Sequence, residues 1–269
     1  MCLFWPAVLM LATSCGTPEA GDVPIVTGGF GGKPIIAVPD AKPGHTPRVM
    51  VLSAGDGRRT IPGDVVLTDV SVHLWPGDRP YLSTYDGLQP IAVAFDGRDL
   101  PGTWHEALIG HPAGSRVMLI SPADHAAGPG VPLTGIAPRD VVVLVFDIIG
   151  GYPPDARLVG RPLPAVPADL TPTAAVRVLI DGSGAEVGPG SKVVVQYVAA
   201  EWPSRRVVDS SYRRGGPAAF GLAPGTAPAG WPDALPGRRV GARLAFGVPE
   251  EARMYVVDVL DALDPAGQP

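Results

Sequence analysis

The chain matches itself. Shifted by 127 residues, it aligns without gaps over a long stretch: Gly55 and Gly57 fall on Gly182 and Gly184, and Pro62-Gly63 on Pro189-Gly190. Trp75-Pro76 falls on Trp202-Pro203, Ser83 and Tyr85 on Ser210 and Tyr212, and Trp104 on Trp231. Pro101 meets Pro228, Ala107-Leu108 meets Ala234-Leu235, and Gly110, Gly114 and Arg116 meet Gly237, Gly241 and Arg243. Four of the five tryptophans are thus paired at one offset. A fixed internal period means one supersecondary unit built twice. The ends of the two copies match at a different offset. Asp147 pairs with Asp258 at 111, so the second copy is 16 residues shorter, and the missing piece corresponds to Ser121–Ile136. This predicts domains over 46–150 and 173–262, joined by a proline-rich linker over 151–172.

Composition narrows what the unit is. There are 35 glycines and 33 prolines, dispersed among valine runs, and charged residues make up only 17%. Lys33, Lys42 and Lys192 are the only lysines. That excludes a large helical protein or coiled coil and favours short strands joined by turns. A hydrophobic share of 46% is enough for a sizeable core. The net charge of −5 argues against a nucleic-acid partner. Each copy opens with a valine-rich strand, Val49–Leu52 or Val176–Leu179. A second strand follows a Pro-Gly turn, Asp64–Leu74 or Ser191–Ala199. One short helix is expected per copy, Thr103–Ile109 or Gly230–Leu235, with Gly110 or Gly237 at its end. Two further strands, Ser115–Ile120 and Val141–Ile149, complete the first copy. The fold class is α+β, each domain an antiparallel sheet wrapped around one short helix.

The N-terminus carries its own signal. An apolar stretch from Leu3 to Ala12, too short to span a bilayer, ends in small residues before Cys15 and a Gly-Thr-Pro sequence. Residues 1–15 resemble a bacterial lipoprotein signal in which Cys15 becomes the lipidated first residue. Ordinary secretory cleavage is the alternative. Residues 16–45, rich in Gly, Pro and Ala, read as a flexible spacer. Cys2 and Cys15 are the only cysteines, so cleavage before Cys15 leaves no intrachain disulfide. The expected location is extracytoplasmic, lipid-anchored to the bacterial cell membrane, with membrane contact only through that anchor.

The ordered elements Gly63-Asp64-Val65-Val66, Gly102-Thr103-Trp104-x-x-Ala107-Leu108, Gly114-Ser115-Arg116-Val117, Ile136-Ala137-Pro138 and Val141–Asp147 resemble the FKBP family of peptidyl-prolyl isomerases. The second copy repeats the pattern in Val208-Asp209-Ser210-Ser211, Gly230-Trp231-x-x-Ala234-Leu235 and Gly241-Ala242-Arg243-Leu244. The resemblance covers most of both copies. It implies two tandem FKBP-like domains acting on Pro-containing protein or peptide segments, without cofactor or metal. Rotation about an X-Pro bond faces a barrier of about 18–20 kcal/mol. Its transition state is a twisted amide of reduced polarity, so a dry aromatic pocket suffices as catalyst.

Carried over position by position, Trp104 is the pocket floor of the first copy, with walls at Tyr81, Ile91, Leu100, Ile136 and Leu144. In the second copy Trp231 is the floor, and Tyr197, Asp209 and Tyr255 are the substrate-binding walls. Both copies depart from the family. Val70 stands where a second-strand tyrosine is usual, Ala218 stands at a wall aromatic, and Ala127 replaces the capping loop tyrosine. Pro101 and Pro228 occupy the position whose backbone N–H binds the substrate carbonyl, and proline has none. The first copy keeps the loop and more apolar walls, and is therefore the expected catalytic one. The alternative function is a catalytically degenerate chaperone or binding module on the cell surface.

Overall fold

In a computed structural model, residues 23–87, 89–96, 100–173, 175–223 and 225–264 are described. Residues 1–15, with the lipoprotein-like signal and Cys15, lie outside them. The first repeat consists of strands β3 (Arg48–Ser53), β4 (Val65–Leu74), β5 (Arg79–Ser83) and β6 (Ile91–Ala94), helix α1 (Gly102–Leu108), and strands β7 (Arg116–Pro122) and β8 (Val141–Tyr152). The second repeats this order with β9 (Arg177–Ile180), β10 (Lys192–Glu201), β11 (Val207–Ser210), β12 (Ala218–Gly221), α2 (Trp231–Ala234), β13 (Arg243–Val248) and β14 (Arg253–Leu263). Each copy is one antiparallel sheet, ordered β3-β7-β8-β4-β5 or β9-β13-β14-β10-β11. The other end of the long strand β4 pairs with β6, and that of β10 with β12.

The helix is short for a sequence reason. Pro101 fixes the chain just ahead of α1, and Gly110 turns it away with φ +84°. A side chain at that φ is strained. In α2, proline again stands in the first turn, at Pro232.

Strand residues alternate between two faces. Val66, Val70, Val72, Leu119, Leu144 and Phe146 point inward onto Trp104 and Leu108. Val193, Val195, Tyr197, Phe246 and Val257 do the same beneath Trp231. The outer faces are covered as well, contrary to the spacer expectation for 16–45. From Val23 onward that segment folds into the hairpin β1 (Ile25–Thr27) and β2 (Ile35–Ala37). Ile36 is buried there with Trp75, Met118, Ile120, Val141, Val143 and Val145. The physical reason is the apolar outer face itself, which would otherwise lie in water.

The segment between the repeats is no free linker either. Strand β8 runs on to Tyr152, and Val166 and Leu170 pack on Ala200, Ala245, Met254 and Val256 at the back of the second sheet. One device fastens both covers. The Arg116 guanidinium forms a buried bidentate pair with Asp147 (2.6 and 2.7 Å) and donates to the carbonyls of Gly28 and Gly32. The Arg243 guanidinium pairs with Asp258 (2.6 and 2.8 Å) and donates to the Pro162 carbonyl.

Candidate functional site

Each repeat builds its site on the inner face of the sheet, under the helix. In the first repeat Trp104 is fully enclosed. Its indole Nε1 donates to the Ala126 carbonyl (2.9 Å), and Phe146 meets it edge-on at 5.0 Å. The loop after β7 lies flat against the ring: a Cβ at Gly128 would sit 2.5 Å from indole Cε2. Tyr81, Ile91, Leu100 and Ile136 are half-buried and pack on this core, and Leu144 is fully buried beneath it. Tyr81 donates its hydroxyl proton to the Thr134 carbonyl (3.2 Å). The structure thus places Trp104 and the five other expected residues of the first copy in one core, with Val70 buried where a tyrosine would add a ring.

The second repeat is richer in rings. Trp231 is also fully enclosed. Tyr197 (5.5 Å), Tyr255 (5.8 Å) and Phe246 (6.3 Å) meet it edge-on, and Phe220 lies tilted at 4.9 Å. Phe246 and Tyr255 stack on each other at 5.6 Å. The Tyr197 hydroxyl donates to Asp209 (2.8 Å), whose carboxylate also takes the Arg214 guanidinium (2.8 and 2.7 Å). Burial and the Asp209 hydrogen bond push the Tyr197 hydroxyl up, so it stays a donor. Burial alone would push Asp209 up, but the Arg214 and Tyr197 hydrogen bonds outweigh it and hold the carboxyl below its ordinary value.

Two residues of this cage are not among the expected ones. Phe220 supplies a ring two positions beyond Ala218, on β12. Phe246 comes from β13, at the position Leu119 holds in the first copy. Hydrophobic alternation along β13 could have placed Phe246 inward. The Trp231 indole N–H is buried without a partner among the described residues. In the first copy the equivalent proton goes to the Ala126 carbonyl in the long loop. In the second copy β13 passes through the short turn Pro249–Glu251 straight into β14. The sequence favours the first copy as catalytic, whereas the aromatic enclosure is most complete in the second.

The class defined by this fold and site is a small antiparallel-sheet domain that folds over an enclosed tryptophan, present twice. Residues 184–255, inside the second repeat, match the family model described as FKBP-type peptidyl-prolyl cis-trans isomerase. A probable FK506-binding protein of Corynebacterium glutamicum is 36% identical over 91 residues, covering 34% of this chain and 72% of that protein. The peptidyl-prolyl cis-trans isomerase FPR2 of Saccharomyces cerevisiae is 41% identical over 61 residues, 23% of this chain and 45% of that protein. Among solved structures, FkpA from Escherichia coli aligns with a TM-score of 0.33 at 26% identity, over 40% of this chain and 48% of that one. The three FKBP domains of wheat FKBP73 align with a TM-score of 0.31 at 15% identity, over 81% and 94%. The chain belongs to the FKBP-type peptidyl-prolyl cis-trans isomerase family.

Proposed function

We propose that this protein is a prolyl isomerase of secreted or envelope proteins and that its second repeat carries the turnover. The observation behind the choice of repeat is the cage of Tyr197, Phe220, Phe246 and Tyr255 around Trp231. Such a cage offers a twisted, less polar amide a better environment than it offers the planar ground state. About 3–5 kcal/mol of differential binding corresponds to a few hundred- to a few thousand-fold acceleration. Tyr197 and Asp209 present polar groups at the edge of the cage for the peptide backbone. The first repeat, with its loop closed over Trp104, supports substrate holding. Acceleration of Leu-Pro isomerisation by the full chain, lost on Trp231→Leu and kept on Trp104→Phe, is the expected result. Loss on Trp104→Phe instead would return the activity to the first repeat.

A second reading rests on two observations: both indoles are fully enclosed, and both repeats have proline at the donor position. On that reading the domains hold Pro-containing segments without turning them over. Peptide binding without acceleration would favour it. We also propose that Cys15 is lipidated and tethers the protein outside the cytoplasm. The support is the sequence of residues 1–15 alone, and mass spectrometry of the mature N-terminus tests it: an unmodified Cys15 sinks the anchor.

A further inference from the structure

A second groove recurs in both copies, on the outer side of the sheet; in the first copy Tyr81 borders both this groove and the Trp104 core. In each it lies between the covering segment and the edge hairpin, β4–β5 or β10–β11. Its volume is about 480 Å³ in the first copy and 440 Å³ in the second. Equivalent residues line both: Ser71 and Val198, Pro80 and Val207, Ser83 and Ser210, Asp86 and Arg213. At the same offset of 127, Arg205, which lines the second groove, corresponds to Asp78. The two acids of the first copy are therefore two arginines in the second.

The copies also differ in how these charges are met. In the first, Lys33 from the covering hairpin donates to Asp86 (2.6 and 2.7 Å), and His73 pairs with Asp78 (2.7 Å). Asp86 thus has its counter-charge, and Asp78 a hydrogen-bond partner, within the chain. In the second, Arg205 donates only to the carbonyls of Pro167 and Leu170, and Arg213 to that of Val207. Carbonyls satisfy hydrogen bonds without neutralising charge, and neither arginine pairs with a carboxylate among the described residues. Asp169, whose carboxylate feels the Arg205 charge, is held by Arg177 (2.9 Å). Tyr212 lines this groove with its ring; its hydroxyl is buried in the field of Asp258 and Arg243, as its counterpart Tyr85 donates to Asp147 (2.5 Å) beside Arg116. Apart from Ser210, the rest of the lining is apolar and includes Leu163, Val166, Val198 and Val207.

We infer that the outer groove of the second repeat binds a single-chain amphipathic carboxylate, its head between Arg205 and Arg213 and its chain along the valines and Leu163. Two guanidinium forks suit a planar carboxylate, and the volume falls within the range of small-molecule sites. The site is independent of prolyl isomerisation.

Titration calorimetry of the full chain with laurate below its micellar concentration tests it, with dodecyl maltoside and inorganic phosphate as controls. Laurate is expected to bind one to one, and dodecyl maltoside and phosphate not measurably. Arg213→Asp, which installs the first copy's residue at an exposed position, is expected to weaken laurate by about tenfold or more with an unchanged melting curve. Equal binding of laurate and maltoside, no binding of laurate, or no effect of Arg213→Asp overturns the site. Binding to phosphatidylglycerol vesicles but not to free laurate also overturns it, since the charges would then serve a surface rather than a single chain.

Discussion

Two tryptophans at one offset end up in different chemical situations. Trp104 gives its N–H to Ala126 under a loop that Gly128 allows to lie against the ring. Gly128→Ala puts a methyl 2.5 Å from the indole, so the expected cost is about 1–3 kcal/mol of stability, read as a lower melting temperature. Trp231 keeps its N–H unpartnered among the described residues, inside four rings. The tryptophans' equivalent places in the two copies were legible from the 127-residue repeat. Phe220 and Phe246 were not, because the expected ring position fell on Ala218 and the first copy has Leu119 in place of Phe246. Asp209 carries a pH prediction. Its lowered pKa contributes stability that is present above the unfolded carboxylate value, about 3.9, and is lost as pH falls through the folded value beneath it. Tyr197 is pushed upward, so neither group titrates near neutrality. The isomerisation rate should therefore be flat between about pH 5 and 9, and a pH-rate profile with a break near 7 would contradict these assignments.

At the scale of elements, the covering segments follow from strands that are apolar on both faces. The run Val141–Ile149 has no polar alternation apart from Asp147, the pattern of a strand buried on two sides. That pattern called for a cover, but the Gly- and Pro-rich composition of 16–45 pointed to a spacer and masked the hairpin. The tie is equally hidden in sequence, since Arg116 and Asp147 are 31 residues apart and meet only across β7 and β8. Asp147→Asn leaves Arg116 buried without its counter-charge. Breaking such a pair costs about 3–5 kcal/mol, so thermal unfolding should shift sharply downward and hydrogen exchange should rise first in residues 25–37. An unchanged exchange pattern there would show that the hairpin is held by apolar contact alone.

The two repeats form a joined molecule. Val65, Leu67 and Ile149 of the first pack against Val194 and Ala219 of the second. Around them Lys192 reaches the buried Asp69, and Tyr152 donates to Asp261 (2.9 Å). The 127-residue offset aligns the two repeats, but this docking could not be read from it: each apolar interface residue reads as an ordinary strand residue. Val194→Asp is expected to split a single calorimetric transition into two, one per repeat, whereas a single unshifted transition would show that the interface contributes nothing to cooperativity.

The central claim is that an FKBP-type site is active in the second repeat. The most direct measurement is protease-free isomerisation of a Leu-Pro peptide by the full chain and by its Trp231→Leu and Trp104→Phe variants, each checked for an intact melting curve. The expected result is acceleration that survives Trp104→Phe and disappears with Trp231→Leu. No acceleration by the full chain, or acceleration indifferent to Trp231, would contradict it.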